Sequence, residues 1–453
     1  MKLSKLITTL LYTTLTAGAV YAQPQAMSLS DCLNMALSNN QSIAISRYEE
    51  QIGDQQIRQT RARALPQVNG TGNLTDNYKR QVLVLGAGTF PGVTENQVIQ
   101  VGNVYNTSVN VDASQTLVDA SVFTALKAAK AGRDYYKQNT QQQEETIIYQ
   151  TAQMYYSILA SKEQVTALDS NIAKLTKIVE ATQGQYDNGL ARKIDLDRIN
   201  VNLTNAKTQR LRQLNQIAVQ TANLKVLMGI PIETEVTLDA VSFNDIEKQA
   251  TDFNAPVDFS LQNRTEIKVI DAQIKLADLQ TKSIRAENYP RLSAFFNYSY
   301  NGVGDKLGDY LKSGGGDIWY GVGAVGLRLN IPIFDGMARQ ARTRQSFIQM
   351  QELNKRKENI ALSLKAGYQS AMVQIENSKS TIAAQKENVE LAESVSASSE
   401  ANYKLGLATL TDLLESQSSY IEAKNSYTRA LLDYKLAELE TIRSAGKLRS
   451  LLQ

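Results

Sequence analysis

The residue types that most often do chemistry are scarce in this chain. None of its 453 residues is a histidine, and Cys32 is the one cysteine. Ser-His-Asp and Cys-His nucleophile pairs are excluded, as are an internal disulfide, a thiolate metal cluster and nearly all protein zinc sites. Carboxylates remain. Asp412 and Glu415 lie one helical turn apart just beyond a glycine turn, and Asp195 follows a matching turn earlier in the chain. Carboxylates are hard oxygen ligands for metal cations, and paired ones suffice for some hydrolases. Taken alone, this pair reads as a solvated helix face. No compact strand–turn–helix motif for a phosphate or cofactor accompanies it, so the expectation is no enzyme and no cofactor. The net charge is only +3, with acids and bases interleaved, so no basic tract points to nucleic acid.

The elements that carry these residues occur twice. Asn39, Ile43, Arg61, Ala62 and Pro66 recur 224 residues later as Asn263, Ile267, Arg285, Ala286 and Pro290. Val109, Val111, Leu117 and Asp119 match Val325, Leu327, Ile333 and Asp335 at a shift of 216. Gly189, Leu190, Asp195 and Gly229 match Gly406, Leu407, Asp412 and Gly446 at 217. A pattern whose main length change falls in a loop is a duplicated fold. Each copy reads helix, proline, alternating strand, loop, alternating strand, very long helix, glycine turn, long helix. The expected division is 1–22 leader, 23–256 first repeat and 257–453 second repeat. Barrel strands fall at about 66–78 and 103–117, then 290–300 and 318–334.

The leader has Lys2 and Lys5 before an apolar run, and Val20-Tyr21-Ala22 places small residues at −3 and −1 of a cleavage site. The mature chain is expected to begin at Gln23. The alternative, an N-terminal anchor, needs ~20 apolar residues, and this run is interrupted by threonines and a glycine. No later segment is apolar enough for a spanning helix, so any membrane insertion is by strands.

The strands carry a period of two. Tyr105, Thr107, Val109, Val111 and Ala113 alternate with Asn106, Ser108, Asn110, Asp112 and Ser114. In the second copy Trp319, Val325, Leu327, Leu329 and Ile331 share one parity, with Arg328 and Asn330 opposite. Val68 and Leu74 oppose Asn69, Thr71, Asn73 and Thr75; Ala294, Phe296, Tyr298 and Tyr300 oppose Ser293, Asn297 and Ser299. Apolar-out, polar-in strands with aromatic ends are those of an outer-membrane barrel, which makes Val109, Val111, Leu327 and Leu329 lipid-facing. The alternative is an ordinary antiparallel sheet with one face on a core, which needs a covering layer that the neighbouring sequence does not offer. The connections 79–102 and 301–317, rich in glycine and polar residues, read as extracellular loops. Four strands cannot close a barrel, since the smallest use about eight, so the chain must oligomerise to remove its edges.

The helices are too long for a globule. From about Ser121 to Gln185 the sequence is nearly free of glycine, and the last helix repeats Tyr420, Tyr427 and Tyr434 with Ala423, Ala430 and Ala437. Val165, Leu168, Ile172, Leu175 and Val179 step as a coiled-coil seam. These stripes are packing, while the remaining Gln, Asn, Ser, Thr, Lys and Glu suit the wall of a water-filled tube. Glycine at Gly189 and Gly406 fits a helix C-cap, with Asp195 or Thr411 opening the return helix.

Several short runs, in order and duplicated, carry a resemblance: Ala36-Leu37-Ser38-Asn39-Asn40, Arg63-Ala64-Leu65-Pro66, Ile333-Phe334-Asp335-Gly336, Asn188-Gly189-Leu190 and Leu405-Gly406-Leu407. Over almost all of its mature length the sequence resembles the outer membrane factor (TolC-like) family of outer membrane efflux proteins. The resemblance implies a mainly α fold with β. A homotrimer would form a twelve-stranded transmembrane β-barrel, four strands per chain, fused to a twelve-helix α-barrel of long coiled-coil helices. It would stand in the outer membrane with its helices in the periplasm. As the passive exit duct of a tripartite efflux or type I secretion system, it would meet an adaptor (membrane fusion) protein and an inner-membrane transporter. Residues Ile230 to about Pro256 would form an equatorial belt. By the same resemblance Tyr403, Asp412, Glu415, Asp195 and Arg192 gate the periplasmic end. Glu415 and Asp412 would form an acidic ring that cations can plug, and Gly189, Leu190, Gly406 and Leu407 form the tips that touch the adaptor. One departure stands out: a turn position where the best-known member carries a bridging arginine is Ala408, leaving Arg192 or Lys193 to latch the closed state. Two other functions fit parts of the sequence, an exported helical filament or adhesin subunit and a periplasmic adaptor. The paired strands and the tandem repeat weigh against them.

Overall fold

The computed structural model describes residues 26–89, 91–239, 246, 259–306 and 319–452. The leader, most of the expected equatorial belt and part of the second strand–strand connection lie outside the described residues.

Ser28 caps the first helix, α1 (Leu29–Asn39), through a reciprocal box with Asp31. After Asn40 the chain re-enters a helix, α2 (Gln41–Ala62). Beyond Pro66 come β1 (Gln67–Asp76), a short hairpin of β2 (Gln81–Leu85) and β3 (Gln97–Val101), and β4 (Tyr105–Val118). Two long helices follow, α3 (Ala120–Asp187) and α4 (Lys193–Met228). The second copy gives α5 (Thr265–Ala286), β5 (Arg291–Gly304), β6 (Trp319–Asn330), α6 (Ala338–Lys404) and α7 (Leu410–Ser444). At 68 residues α3 is roughly 100 Å long by the ~1.5 Å rise per residue.

Several boundaries differ from the sequence expectation, among them β5, which runs on to Gly304. The connection 79–102 is no plain loop, because it contains the β2–β3 hairpin. β6 stops at Asn330 rather than near 334, since Pro332 two residues on has no N–H to pair. α7 is capped by Thr409, two residues before Thr411.

The compact units are not the two sequence repeats, for each unit draws on both. One contains residues 46–140 and 266–359, the other residues 1–45, 141–265 and 360–453. In the first, β1, β4, β5 and β6 form one antiparallel sheet in that order. Its helices approach closely through small residues, with Ala128 and Ala131 buried and Thr281 hydrogen-bonded to Ser346 at 2.6 Å. In the second, Cys32, Tyr155, Ile158, Leu224, Met228 and Leu238 form one core cluster, and Ile375, Leu431, Tyr434 and Ala437 another. Burial pushes the Cys32 thiol up to about 12, with Asp31 adding to the shift, so it is no nucleophile near neutral pH. No described helix is long and apolar enough to cross a membrane.

Candidate functional site

Two places combine exposure with a specific geometry: the faces of the four-stranded sheet and the turns between the long helices.

Strand register decides what each sheet face presents. It aligns Val68, Ala113, Phe296 and Val325 in one row, and Gly70, Val111, Tyr298 and Gly323 in the next on the same face. The row beyond holds Gly72, Val109, Tyr300 and Gly321. Leu327 lies opposite Ala294 and Leu329 opposite Leu292, also on this face. Val109, Val111, Leu327 and Leu329 are all exposed. The intervening rows, Asn69–Asp112–Asn297 and Thr71–Asn110–Ser299, are polar over β1, β4 and β5 and end on Ala324 and Val322 of β6. Arg328 sits on that polar face with its guanidinium 5.1 Å from the Phe295 ring centre. On the apolar face the glycines make room for aromatics: a Cβ at Gly321 would lie 2.5 Å from the Tyr298 hydroxyl. Tyr300 stacks on Trp319 at 5.1 Å, so the aromatics Tyr105, Tyr300 and Trp319 of the apolar face gather at the loop end of the sheet. β1 and β6 are the outer strands, each with an edge that no described strand covers.

The two helix turns are built alike. Leu190 donates to Gln185 and Gly189 to Tyr186; Leu407 donates to Asn402 and Gly406 to Tyr403. This is a Schellman closure in both copies, and φ values of 74° and 75° at Gly189 and Gly406 explain why each holds glycine. The closure leaves Leu190, Leu405 and Leu407 strongly exposed at the tips.

The return helices start differently. Thr409 accepts from Asp412 N–H while the Asp412 carboxylate takes the Thr409 N–H at 2.9 Å and its hydroxyl at 2.7 Å. Those Thr409 bonds hold the Asp412 carboxyl below the usual carboxylate range. α4 instead begins at Arg192, which has no side-chain cap and grips Asp195 through two bonds of 2.8 and 3.1 Å. The Arg192 bond likewise holds the Asp195 carboxyl down.

Of the residues named from sequence, Asp195 and Arg192 are brought together, but inside one helix start. Asp412 is committed to its capping box, and Glu415 stands exposed on α7. Tyr403 packs against Ile199, Leu410 and Leu413, joining the two tips through an apolar cluster. Sequence reasoning missed Arg198, which donates to Thr411 at 2.8 Å and ties the start of α4 to that of α7. Beside this link a groove of about 680 Å³ between α3, α4 and α7 is lined by amides, among them Gln164, Asn202 and Gln417. Among the described residues no cluster of three or more metal-ligating side chains occurs within the chain.

A family model described as outer membrane efflux protein matches residues 32–230 and 257–447. The outer membrane protein TolC of Escherichia coli (strain K12) is 21% identical over 431 residues, covering 94% of this chain and 83% of that one. The alkaline protease secretion protein AprF of Pseudomonas aeruginosa is 20% identical over 417 residues, covering 91% and 83%. The crystal structure of the Campylobacter jejuni CmeC outer membrane channel superposes with a TM-score of 0.72 at 14% identity, covering 92% of this chain and 85% of that one.

Proposed function

The chain belongs to the outer membrane efflux protein family, and from that premise we propose that it is the outer-membrane exit duct of a tripartite efflux or type I secretion system. It lies in the outer membrane with its helices in the periplasm, and passes cargo outward without chemistry of its own. Energy comes from an inner-membrane transporter, reached through a periplasmic adaptor. The observation that carries this reading is the sheet: an exposed apolar face continuous over four strands, a face behind it that is polar over β1, β4 and β5, and two edges that no described strand covers. In lipid each unpaired backbone group costs several kcal/mol, so the edges must close. Antiparallel β1 and β6 suit pairing with further copies, and three copies give twelve strands.

At the helix turns Leu190, Leu405 and Leu407 offer the adaptor an apolar contact, and the amide-lined groove farther along α3, α4 and α7 offers a wet one. Glu415 is an exposed carboxylate of the entrance. Three copies around one axis would crowd like charges, which attracts cations and repels anions. Asp412 contributes less than its sequence position suggests, because Thr409 already holds its Oδ2 through two bonds.

Single-channel recording in planar bilayers tests the reading. The expected result is a cation-preferring pore blocked by trivalent metal ions from the periplasmic side. Glu415→Gln lowers the preference and relieves the block while assembly persists. Unchanged selectivity would return Glu415 to a solvated helix face, and no conductance at all would remove the duct.

A further inference from the structure

The β2–β3 hairpin is made of residues that should not stand alone in water. Its strands are aliphatic except for Gln81, Gln97 and Gln100. Register puts Leu83, Leu85, Ile99 and Val101 on one face, and Val82, Val84 and Val98 on the other. Val82, Leu83, Val84, Val98, Ile99 and Val101 are all exposed. No other described strand pairs with it, and an isolated two-stranded hairpin is marginal in water. Exposed strands are normally protected by lysine, proline or a bulge; neither β2 nor β3 has a charge or a proline.

Position argues for what covers it. The hairpin leaves the sheet past Asp76 and returns at Tyr105, beyond the end marked by Tyr105, Tyr300 and Trp319. Outward aromatics mark the membrane–water boundary of a barrel, so the hairpin lies above the hydrocarbon, where lipid tails cannot cover it. Its neck is tied to the sheet: Asn77 donates to Val104 at 2.7 Å, and Arg80 pairs with Asp305 at 3.2 Å. β2 continues from β1, which is an outer strand, so the hairpin rises from the edge that meets the next copy. The reach is sufficient as well. Twelve strands ~4.8 Å apart and tilted ~40° close a ring about 12 Å in radius. Each hairpin strand has five residues, which at ~3.4 Å per residue reach about 17 Å.

We propose that the hairpin's partner is the same hairpin of the neighbouring copies: three fold over the outer mouth and bury their aliphatic faces together, making an apolar exit lid. This rests on the trimeric duct proposed above. With no charge in its strands, three hairpins converge without repulsion, and an apolar constriction gates by excluding water. Cargo or an applied force parts the hairpins without breaking an ion pair.

Cysteine cross-linking and conductance of the full chain in mild detergent and planar bilayers test it. Leu83→Cys, with buried Cys32 changed to Ser, should give cross-linked dimers under mild oxidation. Ile99→Lys, which adds like charges to the lid, should raise basal conductance by about twofold or more and leave the oligomer's mass unchanged. A trimer of normal mass that neither cross-links at position 83 nor changes its conductance would overturn the lid and leave the duct standing. A monomer would overturn both.

Discussion

Tyr434 on α7 is fully buried beside Ile375, Leu431 and Ala437, whereas Val325 on β6 is 81% exposed in the single chain. Both are large and apolar, and both sit in regular elements with a clean sequence period. The helices bury their stripes against one another, so one chain already holds the seam. The sheet has two exposed faces and two open edges, so its stability depends on what surrounds it. The contrast separates what this chain folds by itself from what a bilayer and further copies must supply.

The largest expected effect tests the self-sufficient side. Tyr434→Ala should cost about 3–5 kcal/mol, the range for emptying a large aromatic site in a core. A denaturant melt of the purified protein checks it, with Val325→Ala expected to change that melt little. Equal losses would mean the seam and the sheet face are buried alike.

The next variant turns on lipid. Val111→Arg should impair insertion by about 2–4 kcal/mol, the cost of arginine on a lipid-facing midplane position. Asp112→Arg, one residue along on the polar face, should leave insertion nearly intact. Outer-membrane yield of the two variants, compared side by side, exposes a wrong parity if they fail equally.

The two turns allow a finer comparison. Thr409→Ala removes a reciprocal cap and should cost about 1 kcal/mol at the start of α7. Arg192→Ala breaks only a surface ion pair, which solvent screens, and should cost less. Hydrogen exchange of the first turns of α7 and α4 reads each locally, and the reverse order would mean the ion pair outweighs the cap.

The smallest effect is in pH. Asp412 and Asp195 are held below their ordinary values by Thr409 and Arg192. A carboxyl lowered in the folded state stabilises fully above its unfolded pKa of about 4 and loses that contribution as pH falls through the lowered value. Protection at both turns, taken as exchange relative to the pH-dependent intrinsic rate, should therefore be flat from pH 8 to about 5, by the same linkage, and fall only in stronger acid. A loss of protection near neutrality would place another titrating group there.

Much of the fold was legible because it obeys a period. Val109 against Asn110 gives the sheet faces, and Gly189 and Gly406 mark where the helices turn back. The hairpin was hidden because glycine and polar residues between 86 and 96 dilute the aliphatic runs 82–85 and 98–101, making the whole segment read as loop. The Thr409 box was written in the sequence as Thr-x-x-Asp just before Leu413, yet Asp412 was weighed only as a gate residue. The Arg198–Thr411 bond joins residues 213 apart on exposed faces, where no periodicity constrains side-chain type.

The central claim is that one chain carries a third of a closed barrel. Native mass spectrometry of the protein extracted in mild detergent measures it most directly. Three chains per particle, with no stable monomer retaining strand content, is the predicted result. A monodisperse monomer with intact strands would contradict it, because the open edges of β1 and β6 would then have persisted without a partner.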